Sequence, residues 1–140
     1  MSGSFIDSNI FIYLADPADS AKRRTAERLI ADAIATGSAS ISFQVVQETL
    51  NVLTRKLRTV VTADDARRLL VEALVPLWHV MPSQGLYERA LQIHASYQYS
   101  FYDALVIAAA LAAGCTRLYS EDLQHGQRIE GMTIQNPFRS

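Results

Sequence analysis

Short apolar segments alternate with longer segments of helical periodicity along this chain. The short segments are typical of strands and fall at residues 5–6, 39–42, 77–81, 117–119 and 132–134. The longer segments repeat apolar residues every three or four positions, as amphipathic helices do. They cover residues 8–13, 18–36, 43–57, 63–75, 84–97 and 101–113. This alternation predicts a single three-layer α/β/α domain with a short, mostly parallel central sheet, which we expect to span residues 1–140.

Particular residues mark where several of these helices begin or end. Asp16 followed by Pro17 predicts the start of the second helix, because aspartate caps helices and proline is tolerated in the first turn. Gly37 predicts the end of that helix, and Thr62 predicts the N-cap of a later one. The helix at 101–113 is apolar on nearly every side, so we expect it at the centre of the domain.

The composition fits a folded protein with an ordinary core. The 140 residues are 49% hydrophobic and carry a net charge of −1, which excludes the composition of a disordered chain. The longest apolar run, 104–113, is too short to span a bilayer, and the N-terminus shows no secretory signal. We therefore expect a cytoplasmic protein with no membrane partner. Cys115 is the only cysteine, which excludes an intramolecular disulfide and a cysteine-based metal site.

Positive charge is concentrated in the first half of the chain. Nine of the thirteen lysine and arginine residues lie between Lys22 and Arg68. These residues form either ordinary solvated helix faces or a basic rim around an acidic centre. In the second interpretation, the residues that would hold the phosphates of RNA are Lys22, Arg23, Arg24, Arg55, Lys56 and Arg58.

Four acidic residues lie where a carboxylate is difficult to accommodate alone. They end predicted strands or lie beside long apolar segments, and they are Asp7, Glu48, Asp103 and Asp122. Desolvating an unpaired charge costs several kcal/mol, and two carboxylates about 4 Å apart repel by about 4 kcal/mol at an effective dielectric constant of about 20. A divalent cation is the simplest partner that would stabilise such a cluster. The pattern therefore predicts a metal-dependent enzyme.

The predicted topology brings these four acidic residues to one edge of the sheet. Asp7 and Asp122 end strands, and sites in parallel sheets form beyond the carboxyl ends of strands. Glu48 and Asp103 lie near helix starts and can face the same edge. Taken singly, Asp103 has an alternative role as a first-turn acid that complements the helix dipole. Glu48 has an alternative as a partner of Arg55, and Asp122 as a turn residue.

The sequence around these acids resembles the PIN domain family, and more narrowly the VapC-type ribonuclease toxins of bacterial toxin–antitoxin modules. The resemblance covers essentially the whole chain. It rests on residues 5–11 (FIDSNIF), Glu48, residues 101–110 (FYDALVIAAA) and residues 118–126 (LYSEDLQHG). It implies endonucleolytic cleavage of RNA and a cognate antitoxin that blocks the site.

The resemblance also implies roles for individual polar residues. The acidic quartet that would hold Mg²⁺ or Mn²⁺ consists of Asp7, Glu48, Asp103 and Asp122. Asn9 and Ser120 would orient these carboxylates, and Glu121 would be a further residue close to the metal or to a bound water.

The chemistry expected of such a site follows from its ligands. Carboxylates and waters suit hard cations such as Mg²⁺ and Mn²⁺. A metal-activated water attacking the phosphodiester in line would leave 5′-phosphate and 3′-hydroxyl ends, and Asp103 or Asp122 is a candidate acceptor for its proton. The alternative is a non-catalytic PIN-like module whose acidic pocket captures a basic partner peptide.

Two helices carry broad apolar stripes. These stripes lie at residues 26–34 and 45–57. If part of them stays exposed, they favour a homodimer, docking of an antitoxin, or both.

Overall fold

A six-stranded sheet organises the computed structural model, which describes residues 3–139. The strands are β1 (Gly3–Ile6), β2 (Ala39–Ser42), β3 (Trp78–Val80), β4 (Cys115–Tyr119), β5 (Arg128–Ile129) and β6 (Met132–Gln135). Their order across the sheet is β3-β2-β1-β4-β6-β5, and every neighbouring pair is parallel except β5 and β6. The expected mostly parallel sheet is confirmed.

Within residues 3–139, six α-helices connect the parallel strands. They are α1 (Ser8–Ala15), α2 (Ser20–Thr36), α3 (Phe43–Arg55), α4 (Ala63–Leu69), α5 (Gln84–Tyr97) and α6 (Phe101–Ala112). Helix α6 packs on β2, β4 and α5, and each of its residues from 104 to 110 is buried. The α/β three-layer class is confirmed, and α6 occupies the central position that its sequence predicts.

The cap of helix α2 differs from the prediction. Asp19, rather than Asp16, caps this helix by accepting a hydrogen bond of 3.0 Å from the backbone N–H of Lys22. Asp16 instead ends α1 and accepts from the N–H of Ala18 at 3.0 Å. Both aspartates are suitable caps, and the tight connection between the two helices decides which one is used. Gly37 ends α2 as expected, with a φ of 64°.

The chain after α4 is not a regular α-helix. Thr62 and Asp65 form a capping box at the start of α4, as Thr62 predicts. One π-helical turn, Leu70–Leu74, and one 3₁₀ turn, Val75–Leu77, then carry the chain to β3. Pro76 lacks an N–H group and its ring crowds the preceding turn, so the α-helical ladder ends before it.

The sheet ends in a hairpin that the sequence did not reveal. Strand β5 has two residues, too few for a periodic signal, and it pairs antiparallel with β6. Glu130 and Gly131 connect the two strands with φ angles of 50° and 88°. Positive φ at both central residues is the requirement of a type I′ turn.

The apolar stripes expected to leave exposed surface are in fact mostly core. In α2 the buried residues include Ala26, Ile30 and Ala33, and Ile34 is the one large apolar side chain of this helix that is exposed. In α3, Val45 and Leu53 belong to buried clusters. The expectation of exposed apolar surface on these helices is therefore wrong, because the sheet and neighbouring helices cover both stripes.

Exposed large apolar side chains lie elsewhere. They include Val60, Val71, Val75, Met81, Tyr87, Leu91 and Tyr102. Tyr97, the last residue of α5, is also exposed. In residues 3–139, no helix is long and apolar enough to cross a membrane.

Candidate active site

The four acidic residues line one cleft at the edge of the sheet. The cleft has a volume of about 370 Å³, and its lining residues include Asp7, Glu48, Asp103 and Asp122. Asp7 and Asp122 follow the parallel neighbours β1 and β4, where the N–H of Asp7 donates to the carbonyl of Tyr119 at 2.9 Å. The predicted convergence at the carboxyl ends of these strands therefore corresponds to an actual cavity.

Asp7 is the buried member of the quartet. Only 6% of its surface is exposed. Its carboxylate accepts hydrogen bonds from the N–H of Ser8 at 2.7 Å and from the hydroxyl of Ser120 at 2.8 Å, and it caps helix α1. Burial raises the pKa of Asp7 to about 6, the two hydrogen bonds oppose this rise, and the negative charges of Glu48 and Asp122 add to it. A cation in the cleft would offset both the desolvation and the charge repulsion that raise the pKa of Asp7.

Glu48 is held by two residues that the sequence pattern did not single out. The hydroxyl of Ser8 donates to one carboxylate oxygen of Glu48 at 3.1 Å, and the amide of Gln44 donates to the other at 3.1 Å. The same amide donates to the backbone carbonyl of Tyr102 at 3.0 Å, next to Asp103. Gln44 thus connects α3 to the first turn of α6. Its position one turn before Glu48 on the same helix face was the available signal.

Asn9 joins the segments that follow β1 and β4. Its amide nitrogen donates to Asp122 at 3.1 Å and lies 3.5 Å from both Asp7 and Ser120. Its amide oxygen accepts the N–H of Glu121 at 3.2 Å. These contacts are what an orienting residue requires. Asp122 itself is exposed, whereas its position at the end of a strand predicts a buried carboxylate.

Asp103 lies in the first turn of α6 and is partly exposed. Its N–H donates to the hydroxyl of Ser100, the N-cap of this helix, at 3.3 Å. The carboxylate lines the cleft from a helix N-terminus, where the helix dipole favours negative charge. Asp103 can therefore complement the dipole of α6 and line the cleft at the same time.

Glu121 has partners outside the quartet. One carboxylate oxygen accepts the hydroxyl of Tyr13 at 2.6 Å, and the other pairs with the ammonium group of Lys22. Glu121 is absent from the lining of the cleft. The expectation that Glu121 lies close to the metal is therefore not supported, because both of its carboxylate oxygens are engaged elsewhere.

The same pairing changes the interpretation of Lys22. Its ammonium group also donates to the Tyr13 hydroxyl at 3.2 Å and lies over the rings of Tyr13 and Phe138, at 5.1 and 5.5 Å from their centroids. The hydrogen bonds to Glu121 and Tyr13 raise the pKa of Lys22. Because these contacts engage its ammonium group, Lys22 is not a free phosphate ligand, in contrast to the expectation that it holds RNA.

The other five basic residues differ in their distance from the cleft. Lys56 lines it directly, beside Asn51 and Val52. Arg23 lines a separate cavity, and Arg58 lines a third. Arg24 and Arg55 are exposed on helix surfaces. Of this group, Lys56 is therefore the best placed to contact a phosphate at the cleft.

The four carboxylates of the cleft suit a hard divalent cation, although they are widely spaced. The ion pairs in residues 3–139 are Lys22–Glu121, Arg68–Glu72 and Arg89–Glu130, so none neutralises a member of the quartet. All four side chains offer carboxylate oxygens, which Mg²⁺ and Mn²⁺ prefer. Within the described residues, no three acidic, histidine or cysteine side chains lie close enough to hold one ion directly. Mg²⁺ tolerates such spacing because it keeps several waters.

Comparisons with known proteins bear on the family and the fold of this chain. The family model described as PIN domain matches residues 4–128. Among curated proteins, none matches this sequence.

Solved structures share the fold at low sequence identity. A toxin–antitoxin complex from Klebsiella pneumoniae matches with a TM-score of 0.69 and 18% identity, over 99% of this chain and 100% of that chain. VapC20 of Mycobacterium tuberculosis, a toxin that cleaves the sarcin–ricin loop, matches with a TM-score of 0.63 and 22% identity, over 86% and 92%. VapBC2 of Rickettsia felis, bound to a promoter DNA fragment, matches with a TM-score of 0.63 and 14% identity, over 95% and 97%. At these identities the similarity shows the fold.

Proposed function

This chain belongs to the PIN domain family, and from that premise we propose that it is a metal-dependent endoribonuclease and the toxin of a VapBC-type toxin–antitoxin module. The observation that carries the proposal is the cleft lined by Asp7, Glu48, Asp103 and Asp122. Around it, hydroxyl and amide groups of Ser8, Asn9, Gln44 and Ser120 orient the carboxylates. The proposed catalytic unit is one domain over residues 1–140.

The quartet would hold Mg²⁺ or Mn²⁺ in this cleft. When bound, the cation would supply a water of lowered pKa and positive charge beside the scissile phosphate. Asp7 is held by two hydrogen bonds, so its role would be to fix the ion in position. Asp103 and Asp122 are more exposed, and either would accept the proton of the attacking water. Hydrolysis of this kind yields 5′-phosphate and 3′-hydroxyl ends.

RNA would approach the cleft from the side of Lys56. This residue follows the C-terminal end of α3, is exposed, and is the basic residue among those that line the cleft. Arg55, Arg58, Arg23 and Arg24 would contribute weaker contacts to more distant phosphates. We propose a cytoplasmic localisation, where an RNA substrate would be available.

The toxin role is supported by the functions of proteins with a similar fold. The similar structures include a toxin–antitoxin complex and VapBC2. We propose that this chain likewise binds a cognate antitoxin, whose basic side chains would be attracted to the uncompensated acids of the cleft. Inhibition would then follow from occupation of the site.

A homodimer is the proposed assembly of the toxin. The apolar side chains of Met81, Tyr87 and Leu91 are 60%, 39% and 55% exposed near or on α5. Burying such a surface against a second copy would remove it from water. Size-exclusion chromatography with light scattering tests this directly, and a monomer of 15.5 kDa at micromolar concentration would contradict it.

The nuclease activity is tested with a mixed pool of tRNA and rRNA. Purified protein is incubated with Mg²⁺, with Mn²⁺ or with EDTA, beside an Asp103→Asn variant, and the ends of the products are mapped. Asp64→Asn is the matched control, since Asp64 is an exposed first-turn acid of α4 outside the cleft. We expect metal-dependent fragments with 5′-phosphates from the wild type and from the control, and none from Asp103→Asn.

A negative result would favour the other function considered for this cleft. If no metal condition gives cleavage, but an arginine-rich peptide binds the wild type and not Asp103→Asn, the chain is a binding module for a basic partner. Cleavage that persists in EDTA would also reject the proposed chemistry.

A further inference from the structure

Two side chains, from helices α1 and α2, meet at the carboxylate of Glu121, and the ring of Phe138 packs against both of them. The hydroxyl of Tyr13 in α1 donates to the Glu121 carboxylate at 2.6 Å, and the ammonium group of Lys22 in α2 forms an ion pair with it. The ring of Phe138, near the C-terminus, packs edge-on against Tyr13 at 5.0 Å between centroids and lies beneath Lys22. We call Tyr13, Lys22 and Glu121 the Glu121 clamp.

The clamp is more constrained than an ordinary surface ion pair. The side chains of Lys22 and Glu121 are 34% and 22% exposed. Lys22 also bonds to the Tyr13 hydroxyl at 3.2 Å, so each member contacts the other two. Exposed isolated ion pairs contribute little to stability because both side chains lose entropy. In the clamp, the hydrogen bonds among the three members and the packing of Tyr13 and Lys22 against the ring of Phe138 restrict these side chains together.

Glu121 lies between two residues of the candidate active site. Ser120, before it, donates to Asp7 at 2.8 Å, and Asp122, after it, is a member of the quartet. The turn 120–122 has no regular secondary structure. Its three N–H groups donate to the carbonyl of Gln135, the amide oxygen of Asn9 and the hydroxyl of Ser120. The carboxylate of Asp122 is exposed, and within residues 3–139 its side-chain hydrogen bond comes from Asn9.

We propose that Tyr13 and Lys22 are positioning residues, which hold Glu121 so that the turn 120–122 presents Asp122 to the cleft. Their positions in α1 and α2 fix the turn relative to the helices that flank the site. Lys22 then acts through Glu121 rather than on RNA, and Glu121 acts through the backbone rather than as a metal ligand. This inference rests on the proposed metal-dependent function.

Substitutions at Lys22 and Tyr13 distinguish a positioning role from direct contact with RNA. Lys22→Met removes the charge and keeps much of the apolar stem, and Tyr13→Phe removes one hydroxyl and keeps the ring. Lys22→Arg restores a cation at the same position. Arg89→Met is the matched control, because it breaks the ion pair with Glu130 at a cavity away from the quartet.

The measurements are Mn²⁺ affinity by electron paramagnetic resonance and hydrogen exchange of the 120–122 amides. We expect Lys22→Met to weaken Mn²⁺ binding about tenfold, the scale typical of residues that orient metal ligands, and to speed exchange of these amides. Tyr13→Phe should act in the same direction and more weakly, Lys22→Arg should recover most of the affinity, and Arg89→Met should resemble the wild type. RNA binding by Lys22→Met should keep the salt dependence of the wild type.

Two results would overturn the inference. Wild-type Mn²⁺ affinity and exchange in Lys22→Met would show that the clamp does not position the turn. A smaller salt dependence of RNA binding in this variant would instead identify Lys22 as a phosphate contact. If the wild type itself binds no Mn²⁺, the proposed function fails, and the exchange rates alone decide whether the clamp holds the turn.

Discussion

The hydroxyl of Ser120 donates a hydrogen bond of 2.8 Å to the carboxylate of Asp7, 113 positions earlier in the chain. Both residues are buried, and both directly follow strands that are neighbours in the sheet. This bond joins the two halves of the candidate site across β1 and β4. It is also one of the contacts that offset the cost of burying the Asp7 charge.

Replacing Ser120 by alanine should destabilise the fold. The change removes a donor from the buried carboxylate of Asp7, and leaving such a group undersatisfied costs about 1–3 kcal/mol. Urea denaturation at a pH of about 7.5 in EDTA, above the raised pKa of Asp7 and therefore with its carboxylate ionised, measures the free energy of unfolding. Ser96→Ala is the control because Ser96 is exposed on α5. Equal losses in the two variants would show that the Ser120–Asp7 bond contributes nothing.

The stability of the metal-free protein should depend on pH through Asp7. The pKa of this group rises from its ordinary value of 3.8 to about 6 in the fold, so the folded state holds the proton more tightly than the unfolded state. The free energy of unfolding therefore falls as pH rises between these two values, by about 3 kcal/mol at about 1.4 kcal/mol per pKa unit. The loss is complete above the folded pKa.

An Asp7→Asn variant isolates this dependence. Asparagine is as good an N-cap as aspartate and does not titrate. In EDTA we expect the variant to gain stability relative to the wild type as pH is raised from about 4.5 to about 7.5, the range in which the folded group loses its proton, measured by urea denaturation at each pH. A difference between the two proteins that does not change with pH would contradict the raised pKa of Asp7.

Divalent cations should stabilise the wild type against heat. A ligand present at about 100 times its dissociation constant stabilises the folded state by about 2.7 kcal/mol, which for a domain of this size corresponds to about 5–10 °C. Differential scanning fluorimetry with Mn²⁺ and with EDTA measures the shift. Asp103→Asn should show a much smaller shift, and an equal one would place the ion outside the quartet.

Lys56 should contribute to RNA affinity more than Arg24 does. Lys56 lines the acidic cleft, whereas Arg24 lies on the exposed surface of α2 and is not among the residues that line the cleft. In an Asp103→Asn background, which prevents cleavage, Lys56→Ala should reduce the slope of log affinity against log salt by about 0.7–1 for one lost phosphate contact. Arg24→Ala is the control, and an identical reduction in both would indicate only a diffuse effect of net charge.

Local sequence patterns predicted those features of the fold that neighbouring residues decide. The alternation of short apolar segments with helical repeats predicted the α/β class, and β2 (Ala39–Ser42) lies at the predicted residues. Thr62 and Gly37 mark helix ends because capping involves residues within one turn of each other. Asp7 was recognisable as a strand-end acid for the same reason.

Tertiary packing decided which side chains meet, and here the sequence was insufficient. Glu121 follows the same strand as Ser120, yet its carboxylate pairs with Tyr13 and Lys22, 108 and 99 positions away. Periodicity reports which way a residue faces on its own element, but it does not report which side chain from another element occupies the space opposite. The sequence by itself thus determined most of the elements and the four acids of the cleft, because both depend on neighbouring residues. Only the packing of α1 against α2 and α3 separated Glu121 from the cleft and placed Lys56 beside it.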